Sequence, residues 1–461
     1  MHYYKLGNPR AFLYEVKVPQ ISISDNFTFG KLLRFALPSI IMVIFTSLYG
    51  IVDGLFVSNF AGNGAFTAVN LFLPIFYIAG SIGLLLGSGG CALVAKLFGE
   101  GEDVTARRVF TGLIIIVTGI GGAITAMTVG FMPSISVLLG ARGQTAKLCS
   151  RYGTIMICGL IPFMLQSFFQ YFFAVADRPK LGLIITVGAG VTNAIFDFVF
   201  MYALKWGVTG AAVATVIGEC VGGVVPLVWF ISKTGKKLYI AKPSFAPRTI
   251  GKVCTNGSSE FLTNISVSLV SMIYNFQLLK YVGEAGVEAY GVIMYVSFIF
   301  IGCFIGYSVG TSPIFGYHNG AGNKDELKNV FKKIMLFYAV AAVVMTAIAE
   351  ALATPLAMIF VSYDKALLAL TVRALRIFSF SFLLSGFNIY ASAFFTALNN
   401  GGVSAAISTA RTLLFQVIAV YVMPLIFGLN GIWSATIVAE LLCIILSVTF
   451  VILNRKKYEY L

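Results

Sequence analysis

The amino-acid sequence predicts an all-α polytopic membrane protein with twelve transmembrane helices in two six-helix bundles, related by a pseudo-twofold axis along the membrane normal. Three observations carry this expectation. The 461 residues are 58% apolar and 11% charged, with a mean hydropathy of +0.91, whereas soluble domains carry about 25% charged residues. Apolar runs long enough to cross about 30 Å of hydrocarbon, which takes roughly 17–25 residues, occur twelve times. A set of residues also recurs at a fixed offset of 221 positions.

The runs span approximately 36–58, 66–95, 109–131, 152–176, 181–204, 207–231, 258–281, 288–315, 334–354, 374–398, 402–425 and 431–453. Between the sixth and seventh lie Lys233, Lys236, Lys237, Lys242, Arg248 and Lys252, together with Pro243 and Pro247. The chain therefore divides into an N-terminal segment (1–35), a first lobe (36–231), a linker (232–257), a second lobe (258–453) and a tail (454–461). The first 30 residues have no continuous apolar core before Pro19, which argues against a cleaved signal peptide.

With the N-terminus inside, the cytoplasmic segments hold 23 of the 32 Lys and Arg residues and the outer segments 8, with Arg411 inside a helix. The positive-inside rule then puts both termini on the cytoplasmic side of the inner membrane. One outer cluster, Arg142, Lys147 and Arg151, dissents. The net charge of +14 is parcelled into short loops rather than gathered in a patch, so it reports topology and not nucleic-acid binding. The seven Cys residues show no paired spacing, and neither His2 nor His318 has a partner at metal-ligand spacing, so no metal site is expected.

The repeat aligns Gly89, Gly99, Gly101, Val109 and Phe110 with Gly310, Gly320, Gly322, Val330 and Phe331. It likewise aligns Gly207, Gly210, Ala214, Thr215 and Glu219 with Gly428, Gly431, Ala435, Thr436 and Glu440. Six spans per half give both halves one orientation, and transporters built this way hold their substrate cavity between the bundles.

Several stretches resemble the multidrug and toxic compound extrusion (MATE) family. They are Phe35-Ala-Leu-Pro-Ser39 leading to Val52-Asp53-Gly54, the Gly-rich run Gly80 to Gly90, Gly99-Glu-Gly101, Asn193-Ala-Ile-Phe-Asp197 and Gly207-Val-Thr-Gly-Ala-Ala-Val-Ala-Thr215. The resemblance covers about residues 30 to 453 and is closest to the bacterial and archaeal branch with an aspartate on the first helix. It implies a V-shaped two-lobed exporter, working as a monomer. Such an exporter exchanges small organic, often cationic, substrates for protons or sodium ions and needs no other cofactor; its partners are substrate, ion and membrane lipid. The family's other prokaryotic branch carries acids on helices seven and ten, and helix ten here, Ala374 to Leu398, has none.

A carboxylate in the bilayer interior costs at least about 2.5–3.5 kcal/mol, so each one asks for a function or a partner. Asp53 and Asp197 lie at a shared depth, roughly 25 Å from the inner boundary at 1.5 Å per residue, with Asn193 one turn before Asp197. These three are the candidate cation-coupling residues; the alternative is that they hydrogen-bond neighbours to fix helix packing. Glu219 has two readings, as a member of that network or as a structural residue shared with its mate Glu440. Glu260 also has two, cation binding or capping the start of helix seven. Glu350, near an outer boundary, is expected to be solvated. Gln166, Phe169, Gln170 and Phe173 in helix four, with Arg411 in helix eleven, are the candidates for a substrate cavity. A flippase for a lipid-linked oligosaccharide is the competing transport function. It would need a cationic groove for pyrophosphate, and Arg411 is the sole Lys or Arg in a helix interior.

Overall fold

In hydrocarbon each backbone N–H and C=O must be bonded within its own segment, so apolar runs of this length become helices. The computed structural model describes residues 21–61, 64–233 and 235–460; the first twenty residues of the expected N-terminal segment lie outside these. The first lobe holds α1 (Phe29–Phe60), α2 (Ala65–Gly99), α3 (Asp103–Val129), the short α4 (Met132–Leu138), α5 (Gly143–Cys158), α6 (Leu160–Val175), α7 (Pro179–Asp197) and α8 (Val208–Ile231). The second holds α9 (Pro247–Tyr281), α10 (Glu284–Gly320), α11 (Lys324–Ala351), the short α12 (Ala353–Val361), α13 (Lys365–Ser379), α14 (Phe382–Ala397), α15 (Gly401–Thr409), α16 (Phe415–Phe427) and α17 (Leu429–Tyr458). π-helical stretches follow α7 at Phe198–Ala203 and join α15 to α16 at Ala410–Leu414.

Among the described residues ten helices are long and apolar enough to cross a membrane, and two bent pairs bring the count to twelve. The pairs, α5 with α6 and α13 with α14, turn by 52° and 50°. Each corresponds to a span expected to be a single helix, at 152–176 and 374–398. The leading halves were outside or at the edge of those runs because they are polar: α5 carries Lys147 and Arg151, both exposed, and α13 carries Arg373 and Arg376. Gly159 sits at the α5–α6 corner, and Pro162 in the following turn has no N–H to return a bond across it. Helix α9 also begins before the expected run, with Pro247 in its first turn, so the second half of the segment read as linker is helical.

The repeat is carried into backbone geometry. Gly207 and Gly428 precede the last span of their lobes with the same φ of 57° and ψ of −136°, a conformation open in practice to glycine. At the α6–α7 and α14–α15 corners, Arg178 N–H donates to the Phe173 carbonyl and Asn400 N–H to the Phe395 carbonyl, each at 2.8 Å. These mates differ by 222 positions, so the second lobe gains one residue before this corner and the 221 register returns by Gly207 and Gly428, across the span that contains the π turns.

The lobes meet near the linker end through small residues. A β-carbon on Gly99 would strike the Tyr317 carbonyl, and one on Gly320 would strike the Lys96 carbonyl. Gly89 packs on Val253 and Gly257 while Gly310 packs on Ala36; each of these contacts is the other's image under the 221 offset. An interface that repeats itself under a twofold operation is isologous, and backbone-to-backbone approach through glycine is how helices associate where hydrocarbon supplies no hydrophobic drive.

A strap of chain crosses the same end. Ser22 Oγ–H and Ile23 N–H donate to the Asp177 carboxylate in the first lobe, both at 2.8 Å. Phe27 N–H donates to Glu326 Oε1 in the second lobe at 2.7 Å, and the Phe27 carbonyl accepts from Lys333 Nζ at 2.6 Å. From the linker, the Lys237 ammonium stands 5.1 Å from the ring centres of Phe98 and Tyr317, one on each lobe.

Overpacking this interface has a measurable consequence. Gly320→Val is expected to lower stability by about 1–3 kcal/mol, read as a fall in the thermal melting point of detergent-solubilised protein. Gly188→Ala, where an added β-carbon meets nothing within 4 Å, is the control and should leave the melting point unchanged or slightly raised.

Candidate functional site

Three helices of the first lobe carry acids to one place. Helix α1 supplies Asp53, α7 supplies Asn193 and Asp197, and α8 supplies Thr215 and Glu219. Asp53 lies within reach of Asp197, Asn193 and Thr215; the Thr215 hydroxyl sits 3.5 Å from its Oδ1 and 3.0 Å from the Ala211 carbonyl. Glu219 is within Coulombic range of Asp53. Tyr49 of α1, beside Gln166 of α6, and Tyr77 of α2 border the cluster.

Asp197 is fully buried, and Asn193 and Glu219 nearly so. Both Asp197 carboxylate oxygens, Glu219 Oε2 and Asn193 Nδ2 have no hydrogen-bond partner of normal geometry. Among the described residues, no Lys or Arg pairs with Asp53, Asp197 or Glu219. Three carboxylates are thus drawn together in low dielectric with no internal counter-ion, where like charge and desolvation both disfavour full ionisation.

The second lobe shows what the same scaffold looks like when neutralised. Position 53 maps onto Tyr274, whose hydroxyl is 2.9 Å from Thr436, the mate of Thr215, and 3.0 Å from Gln416. Counted from either side of the register slip, Asn193 falls on Leu414 or Phe415 and Asp197 on Ile418 or Ala419, all apolar. Glu440, the mate of Glu219, is held by Arg411, with Nη2 at 2.8 Å and Nε at 2.9 and 3.1 Å. Asn388 Nδ2 and Ser385 Oγ–H complete its partners at 2.7 and 3.0 Å. The first-lobe positions matching Arg411 are Ala189 or Gly190, so Glu219 has no equivalent cation.

A separate cavity lies against the second lobe, lined by Glu260, Arg411 and a ring of hydroxyls that includes Ser88, Thr263, Ser308, Ser312 and Ser408. Glu260 does not cap its helix: α9 begins at Pro247, which puts Glu260 more than three turns inside, within Coulombic range of Arg411. Glu350 is not left to solvent either, since Ser379 Oγ–H donates to it at 2.5 Å. Phe169 and Phe173 do not line this cavity. They are buried in the first lobe against Phe110, Trp229 and Phe230, because the face of α6 they share turns into that core. Gln166 is buried beside the acidic cluster and Gln170 is half-buried. Thr215, Tyr274 and Asn388 were absent from the expected site; carrying Asp53 and Thr215 along the 221 offset finds the Tyr274–Thr436 pair.

The two glutamates should therefore respond oppositely to neutralisation. Glu440→Gln leaves Arg411 buried without its charge partner and is expected to cost about 3–5 kcal/mol. Glu219→Gln removes an uncompensated charge and should leave the thermal melting point level or higher. A comparable loss in both variants would contradict the asymmetry.

Comparison with known proteins gives a consistent picture. A family model described as MatE matches residues 38–199 and again 261–422, one match in each lobe. The chain is 24% identical over 438 residues to the multidrug export protein MepA of Staphylococcus aureus, covering 93% of this chain and 94% of that protein. It is 25% identical over 442 residues to MepA of Staphylococcus saprophyticus, with the same coverage. Among solved structures, the outward-facing conformation of a multidrug resistance MATE family transporter superposes with a TM-score of 0.88 at 22% identity, over 95% of this chain and 98% of that one. A MOP superfamily transporter from Pyrococcus furiosus superposes at 0.86 with 22% identity, over 94% and 97%. With both lobes matched by the family model and the bent spans, repeat and interface in place, the protein is a member of the multidrug and toxic compound extrusion family.

Proposed function

We propose that the protein is a secondary active exporter of small organic, often cationic, compounds, driven by antiport with protons or sodium ions across the cell membrane. The observation that carries this reading is the uncompensated acid cluster. Asp53, Asp197 and Glu219 meet in the first lobe, Asp197 and Glu219 buried and Asp53 partly so, with no Lys or Arg paired to them among the described residues, while Glu440, the mate of Glu219, has one. A cluster in that state lowers its free energy by taking up a cation, either a proton on a carboxyl or a sodium ion among the oxygens of Asp53, Asn193, Asp197 and Thr215.

Coupling then follows from linkage. The isologous interface at the linker end is the pivot about which the lobes open to one side or the other. If the two openings hydrate the cluster differently, cation occupancy and conformation bias one another by the same free energy. Asp53, Asn193 and Asp197 are the coupling residues in this reading, with Glu219 in their network. The second-lobe cavity, where Glu260 and Arg411 present opposite charges among hydroxyls, is the region offered to substrate. The relatives named as multidrug export proteins support the substrate class, and the surplus of Lys and Arg on the linker side supports cytoplasmic termini. A monomer with lobes at 36–231 and 258–453 joined through 232–257 is sufficient for the cycle. The flippase reading is not favoured: among the described residues Arg411 is the one cation lining the second-lobe cavity, and Glu440 already engages it.

Proteoliposomes loaded with a fluorescent cationic dye and a pH probe test the proposal. Dye movement under an imposed proton or sodium gradient is expected for the native chain, with loss of at least about tenfold in Asp53→Asn, the removal of about 1.4 kcal/mol or more of coupling free energy. The gradient that drives movement identifies the ion. Undiminished gradient-driven movement in Asp53→Asn would remove the first-lobe cluster from the mechanism.

A further inference from the structure

A second charged cavity, apart from the acid cluster, opens where the linker leaves α8, at the corner where the strap is anchored. It encloses about 200 Å³ and its lining includes Ser22, Asp177, Arg178, Trp229, Lys236 and Lys237. Three cations face one carboxylate. Asp177 is committed to the strap through Ser22 and Ile23 and to Lys237 at 3.6 Å. Arg178 and Lys236 form no ion pair among the described residues.

Lys236 is held in place without being neutralised. Its ammonium donates to the Trp229 carbonyl and stands 4.0 Å from the centre of the Trp229 ring. Partial burial, and then the like charge of Arg178, lower its pKa. The N-terminus of α7 adds to the field: the helix starts at Pro179, directly after Arg178 and with no side-chain cap, so the positive end of its dipole lies beside Arg178.

The cavity also borders the hydrocarbon. Over the last two turns of α8, Val224, Val225, Val228 and Ile231 are all exposed, with Val224, Val228 and Ile231 stacked at i, i+4 and i+7. Trp229, half-buried beside them, has the amphipathic ring typical of the headgroup level. Basic pockets beside transmembrane helices at this level suit phosphate headgroups.

We propose that this cavity binds the phosphate of an anionic phospholipid, held by Arg178 and Lys236, with an acyl chain lying along the exposed face of α8. Free inorganic phosphate shares the recognised chemistry, but the apolar stripe beside the cavity favours the lipid. A headgroup there fastens the linker to the first lobe at the corner where the strap is anchored, and this role is independent of the exported substrate and of the coupling ion.

Native mass spectrometry of the full-length protein in detergent, titrated separately with phosphatidylglycerol, phosphatidylcholine and inorganic phosphate, tests the proposal. Arg178→Gln/Lys236→Gln is compared with Lys456→Gln/Lys457→Gln, which removes equal charge from the C-terminal end of α17. Phosphatidylglycerol retention is expected to weaken about 25-fold in the first variant, about fivefold per cation, and to persist in the second, with phosphatidylcholine retained equally by all. The single variant Lys236→Gln, expected to weaken retention about fivefold, provides the same comparison if the double variant does not purify. Equal phosphatidylglycerol retention in all forms overturns the site. Binding of inorganic phosphate without preference for phosphatidylglycerol over phosphatidylcholine overturns the lipid assignment.

Discussion

Between the lobes, backbone lies against backbone. At Gly99 and Gly320 the carbonyls of Tyr317 and Lys96 occupy the space where a side chain would begin, and the same approach recurs between Gly89 and Gly257 and between Gly310 and Ala36. In a solvent as apolar as the helices themselves, association depends on such close packing rather than on burial of oil from water. The rest of the architecture depends on this contact: it brings α2 against α9 and α1 against α10. It also concentrates the joint at one end, so that two rigid bundles can share a pivot. Each contact has an image at the same offset, with Ala36 standing where Gly257 does, which leaves neither lobe with the larger share of the contact.

On this symmetric frame the chemistry is not symmetric. Glu219 and Glu440 occupy one position in two copies of a fold, yet Glu440 has a bidentate guanidinium and Glu219 has the like charge of Asp53 within range. Burying a charge is tolerable when it is paired and hydrogen-bonded and costly when it is not. The second lobe, with Tyr274, Gln416 and Thr436 bonded in a neutral chain and Arg411 closing on Glu440, has settled that cost internally. The first lobe has no such pairing among its described residues.

Much of this was legible before any coordinates. The twelve spans, the two halves and the trio Asp53, Asn193 and Asp197 stand out because a bilayer penalises polar backbone and charge so heavily that each departure from apolar sequence carries information. Where that penalty is weak the reading failed. Helices α5 and α13 lead with Lys and Arg at a membrane boundary, so hydropathy alone cannot tell their helical halves from loops. The same weakness hid the polar first turns of α9 and made Glu260 look terminal. Arg411 and Glu440 are 29 residues apart on different helices, and nothing local to either announces the other. Phe169 and Phe173 lie in the first-lobe core, and aromatic density marks a core as readily as a ligand wall.

The strap from Ser22 to Phe27 has a mechanical consequence. Its ends are bonded to Asp177 and Glu326, corners of different lobes, through only the few residues between Ile23 and Phe27. An extended chain covers at most about 3.5 Å per residue, so these corners cannot part by more than about 14–18 Å while both ends hold. The strap is in effect a tether: it leaves small excursions free and stops large ones abruptly. Any opening of the linker end beyond its reach must first unfasten one of two carboxylates.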